Sequence, residues 1–187
     1  QHPGRSTHAG RRCVFVRTTG CSLRCVWCDT TYAYHEGHEM SLDDVIARIQ
    51  AFGCPLVEIT GGDPLESPAT PELVRRLLDS GYEVLIETGG HVDLSIVDRR
   101  AAIILDVKCP ESGMAEAMDW KNLERLKPGS EVKFVLANRA DYDYARGVVA
   151  DHDLRRFPLL YSPVHDDLNS RDLAEWMLAD RETARLQ

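Results

Sequence analysis

Short runs rich in β-branched and other apolar residues alternate with amphipathic helical segments along the chain. Strands that alternate with helices need crossover connections, and such connections produce a parallel sheet. The pattern therefore predicts an α/β fold, either a partial (β/α)6-type TIM-like barrel with parallel strands or a curved open sheet. We expect one domain over residues 1–187, with both termini incomplete. The predicted strands are 12–18, 56–60, 83–88, 102–108, 131–136 and 157–162, and a further strand begins at 184–187.

Capping residues mark where several helices begin. Ser41, Thr70 and Ser170 are predicted N-caps, and Pro71 suits the first position of its helix. Two further helices are predicted over 120–126 and 141–149.

Charge and hydropathy exclude two classes of partner. Acidic residues outnumber basic ones by 30 to 22 and the net charge is −8, which disfavours nucleic acid. No apolar run approaches the ~18 residues that span a membrane, so no membrane association is expected. The cysteines do not form a disulfide framework, and Cys13, Cys54 and Cys109 are predicted core residues. This usage favours a cytoplasmic protein with a metal or redox site.

A cysteine cluster follows the first predicted strand. Cys21, Cys25 and Cys28 have the spacing Cys-x3-Cys-x2-Cys. Structural zinc and most iron–sulfur sites use four protein ligands, so three thiolates leave one position open. The favoured interpretation is a 4Fe–4S cluster whose fourth iron binds a substrate or cofactor.

Two other ligand sets remain possible at this stage. A zinc ion completed by His35 or His38 is one, and a ferredoxin-like cluster completed by Cys54 or Cys109 is the other. The remaining loops at the carboxyl ends of the predicted strands would face the same site, because ligands bind at that edge of parallel sheets.

At these residues the sequence resembles the radical S-adenosylmethionine superfamily. The hallmark is the three-cysteine spacing with an aromatic residue before the last cysteine, here Trp27. "TGGDP", with Gly61, Gly62 and Asp63, stands where that superfamily has Gly-Gly-Glu-Pro. The resemblance implies that S-adenosylmethionine chelates the open iron and that Gly62 contacts it through its backbone.

A closer resemblance is to the 7-carboxy-7-deazaguanine synthase family, through "THAGRRCVFVRTTGCSLRCVWCDTTYA", "IETGG", "DVKCP" and "YSPVHDDL". It implies a lyase of queuosine (tRNA modification) biosynthesis that converts 6-carboxy-5,6,7,8-tetrahydropterin to 7-carboxy-7-deazaguanine with loss of ammonia. It also implies Mg²⁺ bound by Thr30, a flavodoxin- or ferredoxin-type reductant, and a homodimer.

The resemblance assigns roles residue by residue. Arg17 would pair with the substrate carboxylate, for which a planar guanidinium is suited. The other implied substrate contacts are Gln1, Gly4, Thr60 and Thr88. The implied cofactor contacts are Trp27, Gly61, Gly62, Asp63, Glu87, Asp106, Val107, Lys108, Ser162, Pro163, Val164 and His165. Glu87 could instead reach the substrate or serve packing, and Asp106 with Lys108 could form a structural ion pair.

Two other functions are carried as alternatives. One is an activase of glycyl-radical enzymes, which shares the cysteine spacing but would not need the Thr30 motif or Arg17. The other is a non-catalytic iron–sulfur carrier, which would not bind S-adenosylmethionine.

Overall fold

Seven parallel strands form one sheet in the computed structural model, which describes residues 6–187. The strands lie side by side in chain order. This arrangement confirms the predicted α/β fold of the partial-barrel type, including the last strand. The strands are Val14–Thr18 (β1), Leu56–Gly61 (β2), Glu83–Thr88 (β3), Ala102–Val107 (β4), Glu131–Leu136 (β5), Leu159–Pro163 (β6) and Arg185–Leu186 (β7).

Five α-helices lie between the strands or follow them. They are Leu42–Ala51 (α1), Thr70–Asp79 (α2), Asn122–Arg125 (α3), Arg139–Asp151 (α4) and Ser170–Ala179 (α5). The predicted cap of α1 is confirmed, since the Ser41 hydroxyl accepts a hydrogen bond from the Asp44 backbone N–H at 3.1 Å. None of the helices in the described part of the chain is long and apolar enough to span a bilayer.

Two predicted caps are wrong by one residue. Thr70 is the first residue of α2, because its backbone N–H already donates to the Ser67 carbonyl in the preceding turn. Ser170 is the first residue of α5, and the cap is Asn169, whose side-chain oxygen accepts from the Arg171 N–H at 2.8 Å. In each case a residue with a suitable hydroxyl lies one position inside the helix.

Helices α3 and α4 differ in length from the predictions. Helix α4 begins two residues earlier than predicted, at Arg139, because the Asn138 side chain accepts from the Asp141 N–H and caps the first turn. Helix α3 is only one turn long. Its buried Asn122 donates to the Gly90 and Val92 carbonyls, which fixes it to the loop after β3.

The hydrophobic core lies between the sheet and the helices. Alternate strand residues point to this side, among them Ile59, Ile86, Leu105 and Phe134, and all four are fully buried. Burial of such side chains is the main favourable contribution to folding. The predicted core cysteines are also buried and unpaired.

Residues before β1 cover the amino-terminal ends of the strands. The backbone N–H of Thr7 donates to the Glu131 carboxylate at 3.0 Å, and Arg11 pairs with Glu83 at 2.5 Å. These contacts tie the segment before β1 to that end of the sheet.

Candidate active site

The other side of the sheet lines a polar cavity. Arg17 pairs in register with Thr60, and Asp106 with Lys133, so both pairs point inward. Many barrels fill this space with packed apolar side chains. Here it is a cavity of about 1070 Å³, large enough for a cofactor and a substrate. Its strand-borne lining is Phe15, Arg17, Glu58, Thr60, Gly61, Glu87, Thr88, Asp106, Lys133, Val135, Ser162 and Pro163.

The cysteine loop lies at the mouth of this cavity. Cys21, Cys25 and Cys28 all line it, and each is partly exposed and unpaired. The loop is held by Glu66, whose carboxylate accepts from the Ser22 N–H at 2.6 Å and from its hydroxyl at 2.8 Å. The three thiols therefore face one space from a loop with fixed ends.

The thiol arrangement fits an iron–sulfur cluster better than a single ion. Among residues 6–187, no three Cys, His, Asp or Glu side chains form a group that could hold one metal ion. In a cluster each thiolate binds a different iron atom, so the sulfur atoms need not converge on one point. The partly exposed thiols facing one cavity meet that looser requirement.

The alternative ligand sets find no support in the geometry. Cys54 and Cys109 are buried and lie outside the cavity lining, and Cys54 donates its thiol to the Arg12 carbonyl at 3.1 Å. His35 and His38 also lie outside that lining, as far as the described residues define it. Among the cysteines, only the three of the cysteine loop line the cavity.

A partly buried cation lies near Cys25. The Lys108 ammonium pairs with Asp106 at 2.9 Å, and both side chains line the cavity. Burial alone would lower the pKa of Lys108, but Asp106 raises it above the usual lysine value. Burial raises the pKa of the Cys25 thiol, and the nearby Lys108 charge opposes that rise. The Asp106–Lys108 pair, predicted as either structural or functional, thus forms and faces the site.

The "TGGDP" loop packs directly on the cysteine loop. The Gly62 N–H donates to the Thr18 carbonyl at 3.0 Å, and the Asp63 N–H donates to the Gly20 carbonyl at 2.9 Å. A β-carbon on Gly62 would lie 2.0 Å from that Gly20 oxygen. Contact between the two loops is therefore enough to require glycine here, whether or not a ligand approaches its backbone.

Asp63 is engaged entirely by the chain itself. Its carboxylate accepts from the Leu65 N–H at 3.0 Å, the Thr88 hydroxyl at 2.8 Å and the Gly89 N–H at 2.8 Å, and Asp63 is 2% exposed. The resemblance predicts ligand contacts for both Asp63 and Thr88. In the structure their polar atoms join the loop after β2 to the loop after β3.

Two glutamates and a lysine form the floor of the cavity. The Lys133 ammonium donates to the Glu87 carboxylate at 2.5 Å and lies 3.9 Å from the Asp106 carboxylate. Glu58 is 4% exposed and lies on the strand next to that of Glu87. Burial, and then the negative charge of Glu87, raise the pKa of Glu58 to about 8.

Thr30 lies where the two loops meet. Its hydroxyl is 3.5 Å from the Gly61 carbonyl and 3.8 Å from the Cys28 sulfur, and it lines the cavity. Tyr34 stands beside Cys28, and a hydrogen bond with that thiol raises the pKa of Tyr34 to about 12.

The fold brings most of the predicted residues to the cavity and leaves one out. Val107 is fully buried on the helix-facing side, because strand alternation points it away from its neighbours Asp106 and Lys108. The Val107 side chain therefore does not line the cavity, and its predicted cofactor contact stays a prediction. Gln1 and Gly4 lie outside the described residues. The predicted residues that line the cavity are Arg17, Cys21, Cys25, Trp27, Cys28, Thr30, Thr60, Gly61, Gly62, Asp63, Glu87, Thr88, Asp106, Lys108, Ser162, Pro163, Val164 and His165.

Glu58, Lys133 and Tyr34 line the cavity but were not predicted as site residues. A signal was present for the first two, since each is a charged residue inside a predicted apolar strand. Glu58 has the same strand parity as Thr60, so it had to point toward the same side.

The parallel partial barrel and its three-cysteine loop define a radical S-adenosylmethionine protein. The model of the radical SAM superfamily matches residues 15–130. The fold agrees with a crystal structure of QueE from Escherichia coli, with a TM-score of 0.81 and 21% identity over 100% of this chain and 90% of that chain. It also agrees with Streptococcus suis SuiB bound to precursor peptide SuiA, with a TM-score of 0.69 and 10% identity over 93% of this chain and 47% of that chain.

Sequence relatives define the family within that superfamily. The 7-carboxy-7-deazaguanine synthase of Koribacter versatilis is 40% identical over 98% of this chain and 88% of its own length. The synthase of the same name from Chlorobaculum tepidum is 41% identical over 98% of this chain and 86% of its own length. This chain belongs to the 7-carboxy-7-deazaguanine synthase family of radical SAM enzymes, and the superfamily implies a 4Fe–4S cluster and S-adenosylmethionine.

Proposed function

We propose that this enzyme converts 6-carboxy-5,6,7,8-tetrahydropterin to 7-carboxy-7-deazaguanine with loss of ammonia. The observation that carries the proposal is the position of Arg17. It is the second-last residue of β1 and lines the cavity, close in sequence to the loop that holds the three cysteines. A guanidinium there can bind a carboxylate through two hydrogen bonds. The shared family name of the relatives supports the choice of product.

The residues have separate tasks in this reaction. Cys21, Cys25 and Cys28 would hold the cluster. When bound, the cluster and S-adenosylmethionine supply the radical chemistry, and the protein supplies positioning. The rest of the cavity wall orients the pterin and excludes water.

We further propose that the enzyme binds Mg²⁺ and that Thr30 is the protein ligand of this ion. A hydroxyl oxygen is a suitable ligand for this ion, which keeps further positions for water and substrate oxygens. The Thr30 hydroxyl lies in the cavity, and its nearest polar neighbours are the Gly61 carbonyl and the Cys28 thiol. Neither contact is short, so the hydroxyl oxygen keeps lone-pair capacity for a cation.

Three further proposals concern the reductant, the oligomeric state and the cellular location of the enzyme. A flavodoxin- or ferredoxin-type protein would reduce the cluster, and the enzyme would act as a homodimer with one catalytic domain in each chain. All six cysteines are free thiols, which supports a reducing, cytoplasmic setting.

The test is an anaerobic assay of the protein with reconstituted cluster, S-adenosylmethionine, Mg²⁺ and the carboxylated tetrahydropterin. We expect 7-carboxy-7-deazaguanine by mass spectrometry. Formation of 5′-deoxyadenosine without that product would keep the superfamily and remove the pterin substrate, and an activase would then be favoured. Absence of both with an intact cluster would contradict the proposal as a whole.

A matched pair of variants tests the role of Arg17. Loss of a charged hydrogen-bonded contact costs about 1.5–3 kcal/mol, so Arg17→Ala should raise KM about 10- to 100-fold. Arg171→Ala removes an exposed arginine of α5 that pairs with Glu175, and it should leave KM unchanged. Equal KM values in the two variants would contradict carboxylate binding by Arg17.

A further inference from the structure

Two glutamate side chains lie on neighbouring strands at the floor of the cavity. Glu58 lies on β2 and Glu87 on β3, both line the cavity, and the charge of Glu87 acts on Glu58. The Oε2 atom of Glu58 is buried and has no hydrogen-bond partner among the residues the structure describes. A carboxylate can only accept hydrogen bonds, so a buried carboxyl oxygen without a donor, near a second carboxylate, favours a proton on one of the two groups.

The cations near this pair do not contact the two carboxyl groups equally. The Lys133 ammonium, 2% exposed, donates to Glu87. Arg17 is a second nearby cation among the described residues, and its charge favours the ionised form of Glu58. In the described part of the chain Arg17 forms no ion pair, and its guanidinium lies 5.6 Å from the centre of the Phe15 ring. If Glu58 were ionised, its carboxylate would therefore compete with a ligand carboxylate for Arg17.

We propose that Glu58 and Glu87 share one proton, and that this proton leaves Arg17 available to the carboxylate of the substrate. Glu58 is then a specificity-determining residue, since its charge decides whether the cavity floor attracts an anionic ligand. With the proton present, the Lys133 charge balances the pair and the Arg17 charge remains for the ligand. Without it, a second carboxylate faces Arg17 and repels the ligand. The identity of the ligand rests on the proposed function, whereas the shared proton does not.

Several charged and titratable groups affect the titration of Glu58. Among residues 6–187 they include Arg17 and Cys13 from the β1 segment, Glu87 from β3 and Lys133 from β5. Burial, followed by the charge of Glu58, raises the pKa of the Cys13 thiol to about 12, so Cys13 stays neutral at lower pH. The change in charge between neutral and moderately alkaline pH therefore belongs to the carboxyl pair.

The test measures ligand binding rather than turnover. Anaerobic calorimetry of the full chain with 6-carboxytetrahydropterin should show affinity falling about tenfold between about pH 7 and about pH 9, one unit above the pKa of Glu58. The tetrahydropterin without its carboxyl group should show no such fall, which corrects for titration of the ring. Glu58→Gln should keep the neutral-pH affinity for the carboxylated ligand at both pH values.

The outcomes separate this inference from the proposed function. Tight binding that does not change with pH in the unaltered protein, or that changes equally in Glu58→Gln, would overturn the role of Glu58 and leave the substrate in place. If the carboxylated pterin does not bind at any pH, the proposed substrate is overturned, and so is the control of its binding by Glu58.

Infrared difference spectroscopy of the ligand-free protein tests for the shared proton without any ligand. We expect the C=O stretch of a protonated carboxyl group at neutral pH, lost on raising the pH and absent from Glu58→Gln. Lack of that band in the unaltered protein would refute the shared proton without reference to any ligand or to the folding of the variant.

Discussion

Asp63 offers a direct test of how the site is held together. Its carboxylate is nearly inaccessible and accepts hydrogen bonds from Leu65, Thr88 and Gly89 across two loops. Each hydrogen bond to a charged group contributes about 1.5–3 kcal/mol, and its loss leaves buried donors without partners. Because the three bonds share one acceptor they are not additive, and Asp63→Ala should lower the free energy of unfolding by about 3–5 kcal/mol.

The assay is anaerobic urea unfolding of the complete chain. With a slope of about 2 kcal/mol/M, the midpoint for Asp63→Ala should fall by about 1.5–2.5 M. Asp43→Ala is the control, since Asp43 forms an exposed ion pair with Arg76, and such pairs contribute at most about 1 kcal/mol. A midpoint for Asp63→Ala equal to that of Asp43→Ala would refute the bridging role of Asp63.

Three further predictions follow from the site. Replacing any one of Cys21, Cys25 or Cys28 by serine should prevent cluster assembly, and full iron content in such a variant would contradict the ligand assignment. Thr30→Ala should weaken the dependence of activity on Mg²⁺ while iron content stays unchanged; an unaltered Mg²⁺ titration would remove Thr30 as its ligand. Folding raises the pKa of Glu58, so the folded state holds its proton more tightly, and stability should fall as pH rises from the usual glutamate pKa to about 8. Glu58→Gln should flatten that part of the pH–stability curve, and an identical curve would contradict the burial of an acid there.

Local sequence patterns were sufficient for most of the secondary structure. Alternating apolar residues and capping groups placed the strands and most helices, because these signals depend on neighbours within a few residues. The errors at Thr70 and Ser170 arose where two residues compete to start one helix. Only the surrounding turn decides which of them leaves the helical conformation.

The roles of Asp63 and Thr88 could not be read from their motifs. Asp63 follows β2 and Thr88 ends β3, which predicted that both reach the site, and both do line the cavity. Their hydrogen bonds to each other depend on the register of β2 against β3, which no local signal specifies.

By itself, the sequence determined the parallel α/β architecture, the three-cysteine loop and the edge of the sheet where chemistry takes place. Tertiary structure alone decided that Glu58, Glu87 and Lys133 meet inside the barrel. These residues lie on three different strands, and each looks like an isolated charge within an apolar run. The charge state of such groups depends on which neighbours share their low-dielectric surroundings. Those neighbours are set by strand register and barrel curvature, which form only when the whole sheet assembles.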